Sequence, residues 1–150
     1  MGLAQCLKII TDLNIRPGYH VLSELTDLSD KALADFVECW ITIPILRRIE
    51  VISELVDISE DNTEVDFTSV FKVCLKDEDP EVRRTSIIGL WEFEDRSLIG
   101  ILVGLIKNDN SIWVRASAAT GLGKFAHLSH SGKILAKDII VVEEALLSTL

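Results

Sequence analysis

The sequence predicts an all-α protein, a right-handed α-α superhelix in which antiparallel helix pairs stack as a solenoid. The first observation is an internal repeat, since DEDPEVRRTSIIGLW from Asp77 matches DNSIWVRASAATGLG from Asp109 at chemically distinct positions. The second is a helical stripe of four apolar residues that begins at Phe67 and recurs, at the same offset, from Ile99. The repeating unit is therefore a helix, a tight acidic turn and a second helix.

The N-terminal segment has its own helical pattern. Apolar residues from Leu3 to Leu13 follow the spacing of one helix face, and Pro17 ends that helix within the segment 14–18. A short second helix is expected from Val21 to Leu25. The segment 1–29 as a whole matches neither copy of the repeat.

An atypical first repeat is expected next. Ser29 or Asp30 suits the N-cap of a third helix, whose apolar stripe comprises Leu33, Phe36, Val37 and Trp40. Pro44 then opens a helix over 45–58, because a proline at that position loses no helical hydrogen bond. When this helix is aligned with the repeated unit, Arg48 falls on Arg83.

The C-terminal part departs from the repeat. After Phe125, the residues Ser129, His130, Ser131 and Gly132 predict a longer loop. Residues 139–150 then resume the stripe of a first helix without a second one. We expect a fragment of a longer array, since the last helix has few polar faces; a capping helix is the alternative. The predicted organisation is a single domain over 1–150, with divergent helices at 1–29, repeats at 30–58, 65–93 and 97–125, and an incomplete repeat at 135–150.

Composition and charge limit the partners. The chain is 48% hydrophobic with a mean hydropathy of +0.31, and it has a formal net charge of −9. That charge repels phosphate backbones and anionic membranes, so we expect neither as a partner. The segment Glu50–Glu81, here called the acidic segment, holds 11 acidic residues against 2 lysines. It is either a set of solvated turns or a patch that attracts a basic partner.

Compartment signals favour the cytoplasm. Cys6, Cys39 and Cys74 lie apart within apolar helical patterns, which indicates buried free thiols in a reducing compartment. The longest apolar run extends only from Leu98 to Ile106, which is too short to span a bilayer. The start of the chain fits neither a lipoprotein cleavage site nor a myristoylation motif.

We find no candidate catalytic, cofactor-binding or metal-binding residues. His127 and His130 lie three positions apart but in a predicted loop, and no further ligand follows at a suitable spacing. The segment Gly121–Lys124 lacks the spacing of a phosphate-binding loop. None of the cysteines has a polar neighbour that would activate it.

The residues from Asp77 to Arg83, with Asp109 to Arg115 as a looser copy, resemble HEAT repeats, most closely the short repeats of phycobilin-lyase-type proteins. The resemblance is strong over 65–125 and weaker over 30–58. It implies that Asp77, Arg83, Asp109 and Arg115 form a ladder between successive repeats. The iron-dependent hydroxylases of this family need His-Glu pairs, which are absent, and its DNA glycosylases need a basic surface, which the charge contradicts.

In HEAT arrays the second helix of each pair lines the concave face, so the resemblance places a binding surface there. We predict a non-enzymatic scaffold for a protein or peptide partner; the alternative is an accessory subunit of a lyase-like enzyme that positions a prosthetic group or client. Trp91 and Trp113 are the preferred anchors, although each could instead cover the core edge between repeats. Self-association through the last repeat is a further expectation. The predicted partner-binding residues are Arg84, Thr85, Ile88, Trp91, Glu92, Trp113, Thr120 and Lys124.

Overall fold

The computed structural model of the protein describes residues 1–130 and 136–148. Within these residues every regular element is helical, which confirms the all-α prediction. The elements are α1 (Leu3–Thr11), α2 (Tyr19–Leu22), a 3-10 turn (Ser23–Leu25), α3 (Asp30–Trp40), α4 (Ile45–Asp61), α5 (Thr68–Cys74), α6 (Pro80–Gly89), α7 (Ser97–Asn108), α8 (Ile112–His130) and α9 (Ala136–Leu147).

The first helix ends earlier than its apolar pattern predicts. Asp12 has extended backbone angles, and its carboxylate accepts a hydrogen bond from the Asn14 amide at 2.9 Å. This local turn competes with another turn of helix. Leu13 was predicted on the buried face, but it lies beyond α1 and is exposed.

The start of α3 agrees with the sequence, whereas its apolar stripe does not. The Ser29 hydroxyl accepts a hydrogen bond from the Ala32 amide at 3.2 Å and so caps the helix as predicted. Phe36 and Trp40 are buried and stack with ring centroids 5.1 Å apart. Val37 was predicted in the same stripe but is exposed. The stripe therefore divides between the core and the outer surface.

The fourth helix continues beyond the predicted end at Ile58. It stops at Asp61 because Asn62 adopts an extended conformation and its side-chain oxygen accepts a hydrogen bond from the Glu64 amide at 2.9 Å. The Asn62 amide group also donates to the Tyr19 hydroxyl at 2.7 Å. A side-chain hydrogen bond, rather than the polar composition of the segment, fixes this helix end.

Helices α5 and α6 are consecutive and pack against each other, in the segment where the first clear repeat is predicted. The predicted stripe of α5 is confirmed, since Val70, Phe71 and Cys74 are buried together with Phe67 ahead of the helix. The Asp79 carboxylate accepts hydrogen bonds from the first two free amides of α6, at 2.9 and 3.1 Å, so this acidic turn also caps the helix.

The predicted loop after Phe125 is corrected by the structure, in which part of that segment is helical. Leu98, Ile99, Leu102 and Ile106 of α7 are buried. Helix α8 continues to His130, past the predicted change at Phe125. Ser and His lower helix stability only modestly, and no helix-breaking residue occurs before position 132, so the helix continues. Ser131 and Gly132 of the predicted loop, with the last two residues, lie outside the described residues.

The chain divides into two compact units, Met1–Leu90 and Trp91–Leu150. The first contains α1 to α6, and the second contains α7 to α9. The repeat boundaries within the chain stay a prediction.

Gly89 allows α6 to pack closely against α5. A Cβ atom at position 89 would lie 2.5 Å from the Phe71 ring, which is buried and has little room to move. Gly89→Ala should therefore lower the free energy of unfolding by about 1 to 3 kcal/mol, since overpacking outweighs the gain of up to about 1 kcal/mol in helix propensity. Urea denaturation followed by circular dichroism measures the change.

Gly104→Ala is the matched control for this prediction. Gly104 lies inside α7, and a Cβ there would meet no atom within 4 Å. The substitution then only raises the helix propensity at position 104, so this variant should have a higher free energy of unfolding than the unmodified chain. Equal effects of the two substitutions would contradict the close-packing role of Gly89.

Candidate functional site

The buried carboxylate of Asp77 lies at the centre of a polar network in the first unit. Its side chain is 2% exposed, and both oxygens accept hydrogen bonds from one guanidinium nitrogen of Arg48 at 3.0 Å. The Trp40 indole donates to the same carboxylate at 2.8 Å, and the Asp79 amide donates at 2.9 Å. The end of α3, the start of α4 and the turn before α6 therefore meet at one charged group.

Arg48 distributes its remaining donors between backbone and side chain. Its Nε donates to the Ile43 carbonyl at 2.9 Å, and the other terminal nitrogen donates to the Glu78 carboxylate at 2.6 Å. A buried ion pair stabilises a fold only when such additional bonds compensate for desolvation. This role of Arg48 was not predicted from the sequence, although the alignment of Arg48 with Arg83 could have indicated it.

Arg83 and Arg115 make the same local contact in the two copies of the repeat. One guanidinium nitrogen of each donates to the backbone carbonyl of the aspartate that begins its acidic turn, Asp77 or Asp109, at 2.8 Å in both cases. Arg83 also donates to the Glu78 carbonyl at 3.0 Å. These bonds satisfy carbonyls in the acidic turns that follow the first helices. A ladder that joins successive repeats through these four residues stays a prediction.

Three predicted partner-binding residues lie on α6, and they differ in exposure. Arg84 forms a two-point ion pair with Glu81, with nitrogen–oxygen distances of 2.6 and 3.0 Å. The hydrogen bonds from Arg84 lower the pKa of the Glu81 carboxyl. Ile88 is exposed, whereas Thr85 is buried. Only Arg84 and Ile88 of this group therefore offer side-chain surface to a partner.

Five further predicted residues lie in the second unit. Trp113 is 72% exposed at the start of α8, and Trp91 is 45% exposed ahead of α7. Glu92 and Thr120 are also exposed. The Thr120 hydroxyl donates to the Ala116 carbonyl at 3.0 Å, which is a bond within α8. The two tryptophans are thus the largest predicted contact groups available at the surface.

Lys124 of α8 forms hydrogen bonds with the segment before α7 that contains Trp91. Its ammonium group donates to the carbonyls of Trp91 and Phe93 and lies 6.0 Å from the centroid of the Trp91 ring. Desolvation lowers the pKa of Lys124, while Glu94 and Glu92 act in the opposite direction. Lys124 therefore positions Trp91 more than it faces a ligand.

Among the described residues no three His, Cys, Asp or Glu side chains group as metal ligands would. The side chains of His127 and His130 lie outside the described residues. All three cysteines are free. Burial raises the pKa of the Cys6 thiol to about 12, with smaller contributions from Glu24 and Cys39, and it raises that of Cys74 as well.

Thiol reactivity should follow this burial. In the native protein at pH 8, a disulfide reagent such as dithionitrobenzoate should modify Cys39, which is partly exposed, before Cys6 or Cys74. The buried thiols should react only after unfolding in guanidinium, where their pKa returns to about 8.5. Mass spectrometry of the labelled peptides identifies the sites. Rapid native labelling of Cys6 or Cys74 would show that these helices open easily.

The same thiols should make stability depend on alkaline pH. A thiol with a raised folded-state pKa favours folding below the unfolded-state value of about 8.5. The free energy of unfolding should therefore fall as the pH rises above that value towards the pKa of Cys6, about 12. Cys6→Ser and Cys74→Ser variants should reduce this alkaline slope in denaturation curves.

The buried pair of Arg48 and Asp77 predicts a large effect on stability. Arg48→Ala would leave the Asp77 carboxylate buried without its cation, and such a change costs about 3 to 5 kcal/mol of unfolding free energy. The control is Arg16→Ala, which removes an exposed ion pair with Glu54 whose nitrogen–oxygen distance is similar, 2.9 Å. This control should barely move the urea midpoint, because exposed pairs contribute little. Similar losses in both variants would argue against the central role of Asp77.

Comparison with known proteins agrees with the repeat and its geometry. A family model described as HEAT repeats matches residues 68–149, more than half of the chain, and this range includes α5 to α9. No curated protein and no solved structure gave a significant match. The phycobilin-lyase subtype stays a prediction.

The family match carries a coarse functional meaning. HEAT repeats commonly mediate protein–protein interaction, and the family is generally a non-catalytic scaffold. In the part of the chain that the structure describes, no helix is both long enough and apolar enough to cross a membrane. With its paired helices, its acidic turns and a match over residues 68–149, the chain belongs to the HEAT-repeat family.

Proposed function

We propose that the protein is a non-enzymatic scaffold that binds a protein or peptide partner through its second-helix surfaces. The exposure of Trp113 carries the proposal, because 72% of this large aromatic residue faces solvent next to Ile112, which is also exposed. Tryptophan, tyrosine and arginine dominate the binding energy of protein interfaces. Most of this aromatic side chain is therefore available for contact with a partner.

Trp91 in the second unit, and separately Arg84 and Ile88 on α6 in the first unit, are further proposed contact residues. Lys124 donates a hydrogen bond to the backbone carbonyl of Trp91, and the Trp91 side chain keeps nearly half of its area exposed and available for contact. Arg84 and Ile88 combine a paired cation with an exposed apolar side chain. Interfaces between proteins commonly combine apolar side chains with arginine.

The charge of the chain favours a basic partner. A net charge of −9 attracts cations over a Debye length of about 8 Å at physiological salt. Opposite net charge on the partner would raise the association rate, and added salt would lower it. We therefore propose a partner whose binding surface is rich in Lys and Arg.

Self-association is a second proposal, supported by α9. Ile140 and Leu147 lie seven positions apart, two turns along one face, and both are exposed. Burial of such a pair against another copy would remove apolar area from water. Analytical ultracentrifugation of the chain and of Ile140→Glu tests it, since the charged variant should remain monomeric at concentrations where the unmodified chain associates.

The scaffold proposal is tested by partner binding. The tagged chain is used to isolate partners from its native source, and the affinity of each purified partner is then measured by calorimetry. Trp113→Ala and Trp91→Ala should each weaken binding at least about tenfold, as expected for hot-spot residues. Unchanged helical circular dichroism and melting temperature would exclude misfolding as the cause.

Ile101→Ala is the matched control. Ile101 is an exposed apolar residue of α7, in the same unit as the two tryptophans but not on a second helix of a pair. Its removal should leave affinity unchanged. An equal loss in the control, or full affinity in both tryptophan variants, would contradict the proposed surface. Turnover of a substrate by the isolated chain would contradict the non-enzymatic role.

A further inference from the structure

An apolar depression on the first unit is lined by none of the proposed partner-binding residues. It lies between α3 and α5, has a volume of about 430 Å³, and opens broadly to solvent. This volume is within the range of about 300 to 1,000 Å³ that is usual for binding pockets. Its lining residues are Asp30, Leu33, Ala34, Val37, Glu38 and Val73.

An apolar stripe on α3 begins in the depression, which Leu33 and Val37 line, and ends beyond it at Ile41. Leu33, Val37 and Ile41 follow one another at intervals of four positions, so they share one face of α3 and its C-terminal cap. Val37 is 36% exposed and Ile41 is 71% exposed. From the helical rise, the stripe is about 12 Å long, or just over two helical turns. The buried residues Phe36 and Trp40 lie on the neighbouring face of α3, next to Leu33.

Two carboxylates border this stripe without a cation. Asp30 and Glu38 line the depression, eight positions and about 12 Å apart along α3. Among the described residues neither carboxylate has an ion-pair partner, whereas Asp35 on the same helix pairs with Lys31 at 3.5 Å. No basic side chain lines the depression. An occupant that brought its own cations would therefore meet complementary charge at two defined places.

We propose that this depression is a docking groove for an amphipathic helix of a protein partner, with an apolar face and two basic residues seven or eight positions apart. The apolar face would lie on Leu33, Val37 and Ile41, and the basic pair would reach Asp30 and Glu38. The spacing follows from the helical rise, because two helices that lie along one another need the same number of positions to cover the distance between the carboxylates.

A helix fits this groove better than an extended segment. The walls are two helices whose backbone groups bond within each helix, so no strand edge is available for an added strand. A helical occupant satisfies its own backbone hydrogen bonds and needs only apolar contact from the groove. Helix-in-groove binding uses anchors at intervals of three and four positions, which matches the spacing on α3.

The groove shares no residue with the second-helix surface of the proposed scaffold. Arg84 and Ile88 lie on α6, and the two tryptophans belong to the other compact unit. Failure of one proposal would therefore leave the other standing. Arg84→Glu serves as the variant that separates them, because it should alter the scaffold surface and leave the groove intact.

Two synthetic peptides, each able to form an amphipathic helix but largely unfolded when free, test the groove on the full chain. Both carry leucines along one face; the first has two lysines seven positions apart beside that face, and the second has glutamates in their place. Fluorescence anisotropy should show the lysine peptide binding at least about tenfold more tightly, with affinity that falls as salt rises. The double variant D30K/E38K should reverse this preference, which loss of folding would not do.

Three single variants make the test specific. Val37→Asp should weaken the lysine peptide at least about tenfold through lost apolar contact. Asp35→Lys makes the same charge change on the same helix outside the groove, so it should have much less effect than Asp30→Lys. Circular dichroism of the complex should gain helical signal as the peptide folds on the groove.

Several results would overturn the proposal. The first is equal affinity of the chain for the two peptides. The second is an equal loss of affinity for the lysine peptide in Asp35→Lys and Asp30→Lys. The third is peptide binding without added helical signal. Dimers of the free chain that dissociate in D30K/E38K would assign the groove to a second copy and overturn it as well. Sedimentation velocity detects such dimers.

Discussion

The burial of one carboxylate constrains the geometry of the first unit. Removing Asp77 from water carries a large desolvation cost, and only a complete set of donors offsets it. Those donors come from Trp40 near the end of α3, from Arg48 in α4 and from the backbone of the acidic turn. Since losing any one donor leaves a buried charge undersatisfied, the arrangement in which all are present is strongly favoured. The direction of α6, and with it the position of Arg84, follows from that arrangement.

Because the core is well packed, the apolar side chains that remain exposed outside it are candidates for binding. Gly89 brings α6 within contact of the Phe71 ring, and the core residues of α5 are almost completely buried. Single exposed apolar residues are ordinary, whereas groups of them at helical spacing are not. Val37 and Ile41 form such a group beside unpaired carboxylates. Trp113 is exposed because its neighbour Val114 is the residue that points into the core.

The repeat in the sequence was enough to predict the helical class and the pairing of elements. Matching positions in the two copies located α5 to α8, and Ser29 correctly marked the start of α3. The ends of helices were harder to predict from the sequence. The end of α4, for example, depends on a hydrogen bond of the Asn62 side chain that composition does not reveal. The division of the α3 stripe was missed for a related reason. Periodicity shows which residues share a face, but only packing shows whether Val37 meets a neighbour.

Counting charges in the sequence also does not show which charged side chains are paired in the structure. The pairing determines how a basic partner would be recognised. The acidic segment has as large a formal charge as the whole chain, yet Glu50, Glu54 and Glu78 pair with arginines that precede the segment in sequence. Its local field is therefore weaker than its composition indicates. Long-range attraction depends on the net charge of −9, which such pairs do not alter. Recognition at contact instead requires carboxylates that are unpaired and adjacent to apolar surface, and Asp30 and Glu38 meet both conditions outside the acidic segment.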